Sequence, residues 1–167
     1  SGDYAVIGGG QTHVASAPYT AIVGGWSHQV TGIGSFVGGG QRHTVSAIYA
    51  SVVGGYTNTV TARHSFVGGG SGHQISGIYG VIVGGQNNRA SGYMTAVLGG
   101  EANSVSGDYG VLAGGKNNQV RGDLTAILGG EANIASANYT SISGGLSNSI
   151  SAAANASTIG GGYRNVV

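Results

Sequence analysis

Apolar residues in this chain come in clusters of two or three, set between glycines and small polar residues, and never in a helical stripe. A glycine pair supplies the frame. Gly9-Gly10 is followed by pairs at 24–25, 39–40, 54–55, 69–70, 84–85, 99–100, 114–115, 129–130 and 144–145, every step fifteen residues. An eleventh pair, Gly161-Gly162, arrives two residues late, which places a small insertion at 153–158. A fixed short period marks a solenoid, each repeat forming one coil stacked on the last.

Numbering each repeat from its glycine pair, position 5 is His13, His28, His43, Asn58 and His73, then Asn in every regular repeat to Asn148. Position 7 is always aliphatic, from Ala15 and Val30 to Ile150. Position 8 is Ser or Thr except at Arg121, and position 9 is only Gly or Ala. Position 11 is mostly Tyr, and position 14 is Ile, Val or Leu throughout. β-Branched residues in two short clusters predict two strands per coil, over positions 5–8 and 11–15. Bends are expected at the small residues of position 9 and positions 1–2, where glycine reaches backbone angles that other residues avoid. The expected fold is an all-β parallel β-roll or solenoid of about eleven 15-residue coils, a single array over residues 1–167. By the strand spacing it forms a rod roughly 50 Å long.

The two strands differ. In the first, position 7 is apolar and its neighbours are mostly polar, as in Thr44-Val45-Ser46, the pattern of a strand with one wet face. In the second, positions 13 and 15 are largely apolar or glycine as well, and a strand apolar on both faces is expected to be covered on both. Positions 13 and 15 share a face, and their sizes oppose each other: Phe36 with Gly38, Ser51 with Val53, Phe66 with Gly68, Ala96 with Leu98, Ala126 with Leu128. Val81 with Val83 is looser. Conserved volume is a property of packed surfaces, so this face is expected to pack against another chain. Phe36, Val53, Phe66, Val83, Leu98 and Leu128 are the interface candidates, with Tyr49 and Tyr79 extending the face.

Composition narrows the partners. The chain has 36 glycines, one proline (Pro18), no cysteine, and six basic against five acidic residues. Disulfides and thiolate metal sites are excluded. No basic stripe is present to neutralise phosphates, so nucleic acid is not an expected partner. No apolar run approaches the ~20 residues of a spanning helix, and this segment is not expected to contact a membrane directly.

The repeat, written from this chain as S-x-V-x-G-G-x-x-N-x-V-S-G-x-Y, resembles the head repeats of trimeric autotransporter adhesins, the YadA-like head, over essentially all 167 residues. The resemblance implies a left-handed parallel β-roll with three chains packed around an axis. It also implies a bacterial surface location, with the head of an outer-membrane-anchored fibre held outward to touch a host extracellular-matrix or cell-surface protein or glycan. Many heads of that family carry a shorter S-V-A-I-G core, where this chain has S-F-V-G-G-G or T-A-I-V-G-G. The chain starts and stops in mid-repeat, so it is expected to be a segment of a longer protein. A phage tail fibre or a purely structural filament spacer is the alternative. An ice-binding solenoid fits less well, because position 6 (Val14, Gln29, Thr44, Thr59, Gln74, Arg89) is too irregular to template ice.

Three groups of residues are candidate sites. His13, His28 and His43 would stack in neighbouring coils, either as a ladder with the asparagines or as a metal site, with no carboxylate in the repeat to orient a ligating imidazole. The ladder is the preferred reading, and no cofactor or metal is expected. Arg121-Gly122-Asp123 is the integrin-recognition tripeptide, one substitution away from Ser106-Gly107-Asp108 in the same positions. Trp26 and Tyr56 both occupy position 3, two coils apart with Arg42 between them, and exposed aromatics serve as ligand anchors. No enzyme activity is expected: the acids are scattered, none converging with a histidine and a nucleophile.

Overall fold

A computed structural model describes residues 2–167 and shows a parallel β-solenoid of about ten coils, with no helix among the described residues. Each coil contributes one two-residue strand to each of two sheets. One sheet has ten strands, from Val14–Ala15 to Ser149–Ile150, at positions 6 and 7 of the repeat. The other has eleven, from Val6–Ile7 to Thr158–Ile159, at positions 13 and 14. Strands pair only with the same position one coil away, as in Thr44↔Thr59 and Phe36↔Ser51. The last pairing, Ser141↔Thr158, steps by seventeen residues instead of fifteen, so the insertion is absorbed without loss of register.

The strands are shorter than the sequence pattern suggests, and the reason lies in the backbone. Three positions in each coil turn left-handed: the second glycine of the pair (Gly55, φ 97°), position 4 (Thr57, φ 52°) and position 11 (Tyr49, φ 54°). Each breaks the extended conformation, and with the bends at positions 1 and 9 they leave only two-residue strands at positions 6–7 and 13–14. A third ladder of single bridges runs between them at position 3, from Gln11↔Trp26 to Leu146↔Tyr163. The expected bends at position 9 and positions 1–2 are present, with position 9 opening a turn closed by a bond such as Ser35 N–H to Gly32 O at 3.3 Å, but they are not the only corners. Position 2 is a left-handed glycine, but positions 4 and 11 are left-handed with mostly non-glycine residues, a conformation that costs an L-residue about 1–2 kcal/mol. Position 9 is small for lack of space as well as for the bend. It is buried, and a Cβ added at Gly92 would lie 2.7 Å from the Ser106 carbonyl oxygen of the next coil.

The interior is a column. Position 7 and position 14 point inward from the two sheets, and Val30, Val37, Val45, Val52, Ile82 and Leu112 are completely buried. Each such side chain contributes roughly 1.5–3 kcal/mol of burial, and each contacts mainly the coils above and below, so stability accumulates coil by coil. Position 12 completes the interior with small residues. Its hydroxyls bond the carbonyls of position 9: Thr20 Oγ1 donates to Ala17 O at 2.9 Å and Thr125 Oγ1 to Ala137 O at 2.9 Å.

Gly115 tests the corner. A Cβ there would meet the Gly130 carbonyl and lie 2.6 Å from Asn118 Nδ2, on a backbone at φ +89°. Gly115→Ala is expected to destabilise the chain by more than about 2 kcal/mol in denaturant unfolding.

Candidate functional site

The position-5 residues line the coil interior as a continuous ladder. Each asparagine does three things at once. Asn103 Oδ1 accepts the backbone N–H of Asn118 at 3.0 Å, while its Nδ2 donates to Gly99 O of its own coil at 3.2 Å and to Gly115 O of the next at 2.9 Å. The amide thereby ties the glycine pair of one coil to that of the next. Histidine copies half of this arrangement. His43 Nδ1 accepts the N–H of Asn58 at 3.2 Å, as His28 and His13 accept from the coils after them. The proton is then on Nε2, which faces the glycine carbonyls but makes no hydrogen bond at His13, His28, His43 or His73.

Electrostatics follow from that geometry. Burial holds His43 down to about 4, with the neighbouring His28 imidazole adding to it and the Gly39 carbonyl opposing. His28 is lowered by burial and then by His13, against the Gly24 and Gly40 carbonyls, and His73 is lowered mainly by burial. A second proton would have to sit on Nδ1, facing the backbone N–H it now accepts. The metal reading of His13, His28 and His43 fares poorly on geometry. Their rings are stacked parallel with centroids 4.9 Å apart, so the Nε2 atoms lie in a row along the solenoid axis and do not converge on one point.

The Arg121-Gly122-Asp123 tripeptide lies on the body of a coil and not on a projecting loop. Gly122 is buried, and Arg121 folds back so that Nε and Nη2 donate to Gln119 Oε1 at 3.1 and 2.6 Å. Asp123 Oδ1 accepts the N–H of Asp108 at 2.8 Å, and the Asp123 N–H donates to Asn138 Oδ1 at 2.9 Å. The aspartate is a rung of a second side-chain ladder, Asp108–Asp123–Asn138–Asn155 at position 10. Sequence reasoning missed this ladder; the run of Asx at that position was its only signal.

The position-3 candidates do come together. The Arg42 guanidinium lies 4.7 Å from the Trp26 ring centroid, and its Nη1 donates to Tyr56 Oη at 3.3 Å. All three side chains are exposed.

The outer face of the eleven-stranded sheet carries Phe36, Val53, Phe66, Val83, Leu98 and Leu128, all exposed, with Leu98 and Leu128 more than half so. At two of the pairs the size opposition has a cause within one chain: the Phe36 ring crosses over Gly38, 3.4 Å from where a Cβ would be, and Phe66 does the same over Gly68. Tyr49 and Tyr79 lie at the left-handed corner outside the strand, stacked on His64 between them at 5.5 and 5.1 Å. Beside the apolar strip run the first glycines of each pair. None from Gly9 to Gly144 is left-handed, and a Cβ on any of them would meet nothing within 4 Å. Nothing in the single chain accounts for glycine there ten times over.

No pocket opens among the described residues. No protein-family model matches the chain, and no curated protein matches it either.

The histidine rungs generate a pH prediction. A histidine titrates near 6.5 in the unfolded chain, whereas His43 titrates at about 4 in the fold. Between those values the unfolded state binds the extra proton, so stability falls as pH drops from about 6.5 to 4 and this group adds nothing further below. His43→Asn is expected to remove its share of that acid loss. At neutral pH it should also stabilise by about 1 kcal/mol through the donors asparagine adds, read from denaturant midpoints at pH 7 and pH 4.5.

Proposed function

We propose that the chain is a non-enzymatic segment of a trimeric extracellular fibre of the adhesin-head type, displayed at a bacterial surface and mediating attachment to host or cell-surface molecules. The observation that carries this reading is the coincidence of two features on one face. An exposed apolar strip runs along the eleven-stranded sheet from Val6 to Leu128, and beside it lies a row of glycines for which the single chain gives no reason. A row of glycines invites close approach of another backbone, and an apolar strip beside it supplies the area for burial. Three such rods packed on this face would place positions 3, 6 and 8 outward, and would present any outer site in triplicate, raising avidity without strong single contacts. The resemblance of the repeat to YadA-like heads supports the same assembly and the same surface location.

Light scattering after size exclusion tests it. The chain is expected to run at three times its 16.3 kDa mass. Glu at both Leu98 and Leu128, or Ala at Gly84, Gly99 and Gly114 together, is expected to lower the mass to one chain with the β circular dichroism retained. A wild-type chain that is a stable monomer would overturn the reading.

A further inference from the structure

We propose that Trp26, Arg42 and Tyr56 form a binding site for a carboxylated carbohydrate, a chain in which uronate-type sugars alternate with neutral ones. The inference rests on the reading of the chain as an exposed surface segment and names the ligand class that one of its faces would take.

Arg42 is held in place without being neutralised. It sits at a left-handed corner, φ 55°, with its guanidinium against the Trp26 indole and one N–H on the Tyr56 hydroxyl. A guanidinium carries five N–H donors in a rigid fork, and only one is engaged here by another side chain. The sequence offers it no counterion, since residues 4–100 contain three arginines and no Asp or Glu. The one ion pair among the described residues, Lys116 with Glu101, lies coils away. A planar donor fork with free N–H groups is the side chain best matched to a carboxylate. Arg164 lies over Tyr163 in a similar pair but has no second ring beside it.

The surroundings favour a sugar over an acidic peptide or a sulfated polymer. The neighbouring rungs at positions 3 and 4 are uncharged amides and hydroxyls, Gln11, Gln41 and Thr57 among them. One cation amid neutral hydrogen-bonding groups suits one carboxylate amid many hydroxyls, and polyanions require several cations together. The surface is open, without a pocket, as a flat pyranose ring needs and a buried peptide anchor does not. Trp26 and Tyr56 stand two coils apart, roughly 10 Å by the strand spacing, a distance two sugar rings span, with Arg42 between them.

Trp26 is the only tryptophan in the chain, so its fluorescence reports this site alone. Titration, by fluorescence and by calorimetry, would use an octasaccharide of alternating glucuronate and N-acetylglucosamine. A neutral N-acetylglucosamine oligomer and poly-glutamate serve as comparators. Saturable binding of the uronate chain is expected, with both comparators at least about tenfold weaker. Arg42→Asn, whose asparagine accepts the left-handed corner, should weaken binding about tenfold or more, and Tyr56→Phe about threefold. Neither heat nor fluorescence change with the uronate chain, or an unaffected Arg42→Asn variant, would overturn the proposal. Equal affinity for poly-glutamate would overturn it in favour of an acidic protein, and equal affinity for the neutral oligomer would remove the carboxylate from it. The measured mass separates this from the fibre reading: a trimer that ignores the uronate chain loses only the carbohydrate site, and a monomer that binds it loses only the fibre.

Discussion

Everything in this molecule depends on one constraint: each residue must tolerate its own counterpart one strand spacing above and below. Backbone N–H groups at positions 3, 6, 8, 13 and 15 donate to carbonyls of the next coil and those at positions 4 and 11 to the previous one, and the pairing Phe36↔Ser51 or Val45↔Val60 fixes which residues meet. Apolar side chains satisfy the constraint easily by stacking into a column. Polar groups inside the coil satisfy it only when donor and acceptor both point along the solenoid axis, which an amide does and a hydroxyl does if it can reach a carbonyl. Asn at position 5 and Ser or Thr at position 12 are therefore structural choices before they are anything else.

Histidine at position 5 shows the limits of that tolerance. Its Nδ1 reproduces the acceptor of asparagine, but one ring N–H cannot serve the two glycine carbonyls that the asparagine NH₂ reaches. An unsatisfied buried donor costs about 1–3 kcal/mol, and ring stacking at 4.9 Å offsets part of it. The position-5 imidazoles are confined to residues 13–73, a stretch without a carboxylate, and asparagine holds the position from Asn88 onward, in the part of the chain that contains Glu101, Asp108, Asp123 and Glu131. The two halves share one backbone and differ in charge and in response to acid.

The period, the parallel stacking and the inward positions 7 and 14 were all legible in the sequence, because a repeat averages out the noise of any single residue. The left-handed corners at positions 4 and 11 were not. Tyr49, Thr57 and Leu124 at φ 52–54° carry side chains that ordinarily argue against left-handed backbone, so their positions read as strand or surface. The lesson from Gly38 is similar: its pairing with Phe36 was visible, but the sequence alone could not separate a ring lying across its own chain from a ring packed under another. The arginine–aromatic cluster was visible only as spacing, since position 3 and position 4 of successive coils become neighbours only once the coil is closed.

A rod of interchangeable coils also constrains where chemistry can live. Groups at one repeat position lie parallel and one strand spacing apart, so they form rows and do not converge, as the three stacked imidazoles illustrate. A convergent site must draw on different positions in different coils, and it must come from residues that break the repeat. Arg121 breaks it but is folded onto Gln119, and the aspartate beside it is committed to a ladder. Trp26, Arg42 and Tyr56 break it in three successive coils at two adjacent positions, and there the side chains meet without using up the guanidinium. In an architecture that otherwise repeats itself, that local loss of repetition is what gives one stretch of the surface a chemistry of its own.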